Sequence, residues 1–258
     1  MKVVIFAGGL GTRLAEETDI RPKPMVEIGG KPILWHIMKI YSHYGYNDFI
    51  ICLGYKGFYI KEYFMDYYMH NSDMTIELHS NKRDIHFTQT ESFKVTLVDT
   101  GLNTKTAGRL KRIQKYVHDE PFMLTYGDGV SDVDINALLK FHKTNNKIAT
   151  ITAVQPEARF GGMDIDESGK VNIFKEKPEG DGRWINGGFF VLSPAIFNYL
   201  DEGADDIMFE NGPLEMLSAS GELMAYKHPG FWKCMDAMRD KIELEQMWNS
   251  DQPKWKVW

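Results

Sequence analysis

Gly8-Gly9-Leu10-Gly11-Thr12-Arg13 is followed closely by Pro22-Lys23-Pro24. Three glycines in four positions let a backbone approach a bulky anion with its N–H groups exposed. Arg13 and Lys23 add fixed positive charge. That combination suits the triphosphate of a nucleotide. No Gly-Lys-Ser/Thr ending makes the stretch a P-loop, and Leu14 stands where a dinucleotide fingerprint has its third glycine. The glycines alone fit a tight strand-to-loop turn with a solvated arginine equally well.

Other clusters have a chemical and a plain reading. Gly127-Asp128-Gly129 follows an apolar run, and a carboxylate at the end of a buried strand can hold a divalent cation. It is as readily a turn aspartate between glycines. Asp236, after His228-Pro229-Gly230-Phe231-Trp232, offers a second carboxylate; on spacing alone a helix N-cap explains it better. In Glu176-Lys177-Pro178 a lysine beside a proline can meet a phosphate as a point charge, though surface Lys-Pro pairs are common. Phe160-Gly161-Gly162 and Asn186-Gly187-Gly188-Phe189-Phe190 fit the lining of a sugar site, or a pair of bulged strands.

The surrounding pattern must position these groups. Val3–Ala7 reads as a buried strand feeding the glycine turn. Pro32 opens a helix whose apolar residues recur from Ile33 to Tyr41, and Gly45 closes it. Phe49–Leu53 is a second buried strand and Lys56–His70 a second helix. Strand, helix, strand, helix is the pattern of a parallel sheet with crossover helices. Strands are expected at 75–78 and 94–98, with a polar stretch between that is either an excursion packing on a partner subunit or a mobile loop. The order continues with a basic helix over 107–118, a strand over 122–126, a helix over 134–143 and a strand over 148–154. Strands near 163–166, 171–175 and 184–192 follow, then helices near 194–200 and 212–219, a strand at 222–227 and a helix over 237–248. No repeat, low-complexity segment or flexible linker interrupts the chain, so one domain spanning 1–258 is expected, with 71–100 as its excursion.

The sequence has 258 residues and a net charge of −6, too acidic for a nucleic-acid surface. Two cysteines, Cys52 and Cys234, give neither a disulfide framework nor metal spacing. No apolar stretch approaches a membrane span, and no signal-peptide core precedes the first strand. A cytoplasmic protein with no membrane or nucleic-acid partner is expected.

Taken together, Gly8-Gly9-Leu10-Gly11-Thr12-Arg13-Leu14, Pro22-Lys23-Pro24, Gly127-Asp128-Gly129, Phe160-Gly161, Glu176-Lys177-Pro178, Asn186-Gly187-Gly188 and Asp236 occur in the order seen in sugar-1-phosphate nucleotidyltransferases. The resemblance covers essentially the whole chain. Lys23–Met38, Val98-Asp99-Thr100-Gly101, Thr106–Arg112 and Pro229-Gly230-Phe231-Trp232 resemble the cytidylyl-transferring branch, apart from Ala107 where a second glycine is usual. The resemblance implies a Rossmann-like nucleotidyltransferase fold of the α/β class: a mixed, mainly parallel central sheet flanked by helices, with smaller β excursions. It implies transfer from CTP to α-D-glucose 1-phosphate, giving CDP-glucose and pyrophosphate, and a homo-oligomer, trimer or hexamer.

In that scheme Phe6, Ala7, Gly8, Gly9, Leu10, Gly11, Thr12, Arg13, Lys23, Thr104, Arg109 and Gly127 bind the nucleotide, with Arg13 and Lys23 catalytic. Gly161, Glu176, Lys177 and Asn186 bind the sugar phosphate, and Asp128 and Asp236 hold Mg²⁺. Arg109, a donor-only side chain, is expected to read cytosine O2 and N3; its plain alternative is the first exposed charge of a basic helix. Competing functions are the same chemistry with UTP, a non-catalytic nucleotide-binding regulator, and a nicotinamide-dependent oxidoreductase. The joint presence of Arg13, Lys23, Asp128 and Asp236 speaks against the second, and Leu14 against the third.

Overall fold

The computed structural model describes residues 1–117, 119–156, 162–165, 171–175, 184–201 and 203–258, with backbone alone at 162–165 and 171–175. β1 (Lys2–Ala7) has no polar residue after Lys2, so neither face suits water. Val3, Ile5 and Ala7 enter one apolar cluster, and Val4 and Phe6 enter another. The strand accordingly lies inside a sheet. β2 (Asp48–Leu53), β3 (Lys94–Asp99) and β4 (Phe122–Tyr126) run parallel with it, β2 and β4 as its direct neighbours and β3 outside β2.

After the short β5 (Gly129–Ser131), the sheet is extended by β6 (Ala149–Val154), β7 (Ile185–Leu192) and β8 (Leu223–His228). β7 is antiparallel to both β4 and β6, and β8 is parallel to β6. The order is β8-β6-β7-β4-β1-β2-β3. This is the mixed, mainly parallel sheet expected. A last strand, β9 (Trp232–Cys234), was not foreseen; it pairs antiparallel with β5.

Helices cover both faces. On one lie α1 (Ile33–His43) and α2 (Gly57–His70); on the other lies α3 (Thr106–Arg112). α1 follows Pro32 and ends in a Schellman motif. Gly45 takes φ +87°, its N–H meets the Ser42 carbonyl at 2.9 Å, and the Tyr46 N–H meets Tyr41 at 3.1 Å. The basic helix expected over 107–118 stops at Arg112, and only a short turn follows at Gln114–Val117. The polar stretch near 81–91 is largely strand: Lys82–Thr88 pairs with Ser72–Glu77 as a hairpin standing off the sheet. No helix among the described residues is long and apolar enough to cross a membrane.

Candidate active site

The carboxyl ends of β1, β2, β3 and β4 share one edge, where open α/β sheets bind ligands. One side chain ties three of them together. The Arg109 guanidinium, on α3, donates to the carbonyls of Gly8 (2.9 Å), Leu53 (2.9 Å) and Gly101 (2.8 Å), and to the Thr100 hydroxyl (2.7 Å). These follow β1, end β2 and follow β3. Arg109 is only 4 % exposed, so it is not a solvated charge on a basic helix. Its place also differs from the expected role at the base, because both terminal nitrogens are already committed to the chain's own acceptors.

This explains Gly8. A Cβ there would lie 2.2 Å from Arg109 Nη1 and 2.4 Å from Cζ. Gly11 has a different reason: it takes φ +67°, where L side chains are strained. Its carbonyl accepts from the Leu14 N–H at 2.9 Å, which closes the turn over Thr12–Leu14, and from the Thr18 hydroxyl at 3.1 Å. Gly9 and Leu10 form the open tip. The Phe6 and Ala7 side chains are buried in the sheet, so only their backbone can face a ligand. Gly127 packs on the Phe6 carbonyl, where a Cβ would lie 2.7 Å away. Thr104 is buried beside Gly101.

The four charged residues picked from the sequence meet. Lys23 Nζ lies 2.6 Å from Asp128 Oδ2 and 2.7 Å from Asp236 Oδ1, and Arg13 Nη1 lies 3.1 Å from Asp236 Oδ2. The β5–β9 pairing sets this up: Cys234 faces Gly129, and the Met235 N–H meets the Asp128 carbonyl at 2.8 Å. Burial would lower the Lys23 pKa, but the charges and hydrogen bonds of Asp128 and Asp236 outweigh it and leave it raised. Burial would raise the Asp236 pKa, but Lys23 and Arg13 hold it below the ordinary value.

The N-cap reading of Asp236 has a clear answer. Helix α6 (Met238–Trp248; α4 being Ile135–Asn145 and α5 Pro213–Ala219) is capped by Asp240, whose carboxylate accepts from the N–H groups of Asp236 and Ala237, each at 2.9 Å. The Asp236 carboxylate is left to face Lys23.

Beside Tyr126, Asn186 is exposed at the start of β7. Its amide donates to the Tyr126 hydroxyl at 3.1 Å and accepts from the Gly188 N–H at 2.7 Å. Gly161, Glu176 and Lys177 lie outside the described residues. Sequence reasoning missed Tyr126, Glu210 and Asp240. Tyr126 could have been noticed as the residue leading into Gly127-Asp128-Gly129; Phe209-Glu210 carries no motif.

The chain belongs to the nucleotidyl transferase family, whose model matches residues 2–235. It is 56 % identical to the glucose-1-phosphate cytidylyltransferase of Salmonella typhi over 259 residues, with 100 % of both chains covered. A probable glucose-1-phosphate cytidylyltransferase of Bacillus subtilis is 46 % identical, again with 100 % of both chains covered. Among solved structures, a putative glucose-1-phosphate thymidylyltransferase from Bacillus anthracis aligns with TM-score 0.72 at 17 % identity, covering 98 % of this chain and 96 % of that one. The last likeness concerns the fold alone.

Proposed function

We infer that the protein transfers a cytidylyl group from CTP to α-D-glucose 1-phosphate, releasing pyrophosphate and forming CDP-glucose. The observation that carries the chemistry is the meeting of Lys23, Asp128 and Asp236 beside the glycine loop. End-to-end likeness to cytidylyltransferases carries the substrate assignment.

The sugar phosphate is already largely dianionic at neutral pH, since its second pKa is about 6. No side chain has to deprotonate it. The protein's work is to hold the attacking oxygen, the α-phosphorus and the leaving pyrophosphate in line, with their charge neutralised. The loop N–H groups from Gly8 to Thr12, with Arg13, hold the β- and γ-phosphates. Lys23 exchanges part of its carboxylate contact for the α-phosphate. Lys177 meets the sugar phosphate, while Glu176, Gly161 and Asn186 meet sugar hydroxyls.

Asp128 and Asp236 fit a divalent cation, because both carboxylates converge on one point now filled by the Lys23 ammonium. The two carboxylates would hold Mg²⁺, which would supply neutralisation of the phosphate charge there. Arg109 serves the nucleotide indirectly, by fixing the Gly8 carbonyl and the turn after β3, so selection of the base falls to the loops it holds.

The hairpin of 72–77 and 82–88 exposes Ile76, Leu78, Ile85 and Phe87, and α2 exposes Phe58 and Met65. Apolar area of this kind suits contact with further copies of the chain. Pyrophosphate release with glucose 1-phosphate and each of CTP, UTP, dTTP, ATP and GTP tests the reading. CTP should be strongly preferred. Equal turnover with UTP would overturn the cytidylyl assignment, and no turnover with any nucleotide would overturn the enzyme.

A further inference from the structure

One carboxylate touches both halves of the site. Glu210, half-buried ahead of α5, accepts from the Tyr126 hydroxyl through Oε1 and from the Thr106 hydroxyl through Oε2 at 3.0 Å. Thr106 begins α3, the helix that carries Arg109. Tyr126 ends β4 and leads into Asp128. We propose that Glu210 is a positioning residue for the sugar subsite: acting through Tyr126, it makes Asn186 present an N–H donor to a hydroxyl oxygen of the hexose. The proposal deepens the function inferred above and rests on it.

The argument is one of hydrogen-bond polarity. A carboxylate has only acceptors to offer. The single hydrogen of the Tyr126 hydroxyl therefore points at Glu210, and its oxygen can only accept from other neighbours. Asn186 must then turn its amide nitrogen toward Tyr126, as it does at 3.1 Å. Its amide oxygen accepts from the Gly188 N–H at 2.7 Å, so the orientation is held from both ends and loosens when the Tyr126 end is lost. A flipped amide would set oxygen against the tyrosine oxygen and NH₂ against an N–H. Both ends would repel.

The chain is anchored at each joint. The Thr106 hydroxyl, having given its hydrogen to Glu210, accepts from the Phe209 N–H at 2.7 Å. The Tyr126 ring lies against Gly188, where a Cβ would come within 2.6 Å of it. The ring also meets Phe190 edge-on with centroids 5.9 Å apart. Asn186 has two amide hydrogens, and among the described residues one of them is used. The exposed amide thus has one donor left. It matches a hydroxyl oxygen, and the flipped amide would offer an acceptor instead.

Competition between glucose 1-phosphate and its 2-, 3-, 4- and 6-deoxy analogues tests this. Among the analogues that the wild-type protein disfavours, Asn186→Ala should weaken the bias against one in particular roughly fivefold to tenfold, the worth of one hydrogen bond. Glu210→Ala and Tyr126→Phe should each weaken the same bias by a similar factor, with the KM for CTP little changed. The Glu210→Ala/Tyr126→Phe pair should lose no more than either single variant. Glu210→Gln should restore the bias, because its amide oxygen can still take the tyrosine hydrogen.

If Glu210→Ala does not fold, Tyr126→Phe carries the same test. Unchanged discrimination in the variants, or equal losses for every analogue and for CTP, would overturn the role of Glu210 while the enzyme stands. A wild-type protein inactive with every nucleotide would overturn the functional reading and this role with it.

Discussion

Replacing Gly8 by alanine tests the architecture of the loop directly. The new Cβ would sit 2.2 Å from Arg109 Nη1, 2.4 Å from Cζ and 2.9 Å from Nε. Ordinary contact begins near 3.4 Å, so the guanidinium must retreat by about an ångström or the loop must lift by as much. A free arginine would move aside cheaply. This one is held by hydrogen bonds of 2.7–2.9 Å to Gly8, Leu53, Gly101 and Thr100, and a shift of that size breaks two of them. A hydrogen bond to a charged group contributes about 1.5–3 kcal/mol, so the cost is about 3–6 kcal/mol. In a chain of this length that lowers Tm by roughly 10–20 °C. Calorimetric unfolding and titration with CTP would measure both effects, and CTP affinity should fall with Tm. Gly9→Ala, with open space around it, should leave Tm unchanged. In an Arg109→Ala background the cost of Gly8→Ala should largely vanish. Wild-type stability in Gly8→Ala, or an undiminished cost in that background, would refute the reasoning.

Three further outcomes are expected. Asp128→Asn and Asp236→Asn should each fold normally and lose turnover by several orders of magnitude; near-normal rates in dilute Mg²⁺ would remove that residue from the metal site. Lys177→Ala should weaken capture of glucose 1-phosphate far more than capture of CTP, and equal losses by isothermal titration would place it in the nucleotide half or in the fold. His36 is buried with Nε2 at 2.8 Å from the Ile28 carbonyl, and burial outweighs that bond to push its pKa down to about 4. The unfolded chain therefore binds the proton first. Stability from this group should be complete above about pH 6.5 and fall by about 3 kcal/mol toward pH 4. Urea unfolding across that range should show the slope in the wild type and lose it in His36→Asn.

The elements that place the site were open to reading because their signals are local. β1 is apolar on consecutive residues, α1 repeats its apolar face between Pro32 and Gly45, and Asp128 follows a buried strand. Lys23, Asp128 and Asp236 could be picked out by type. Their meeting depends on the β5–β9 pairing, and three-residue strands leave too little pattern to find. The hairpin at 72–88 was half hidden for a related reason. Both of its strands are largely exposed, so no alternation of buried and exposed residues marked the second one.

Arg109 shows where reading by residue type stops. Its chemistry was legible: a donor-only group on the first turns of a helix near the nucleotide. A sequence does not reveal whether the acceptors belong to a ligand or to the chain. Parallel strands ending side by side leave carbonyls at one edge, and in a buried setting each needs a donor. The Gly8 and Leu53 carbonyls already accept from the Tyr55 and Thr100 N–H groups, at 3.1 and 3.0 Å, and the planar guanidinium of Arg109 adds a charged donor to each and to the Gly101 carbonyl, tying three strand ends together. The glycine loop then divides by cause. Gly8 is small because the guanidinium stands against it, Gly11 because the backbone turns left-handed there, and Gly9 alone is free of the fold. Of the three glycines that suggested a phosphate cradle, Gly9 is the one whose smallness is left for the ligand to explain.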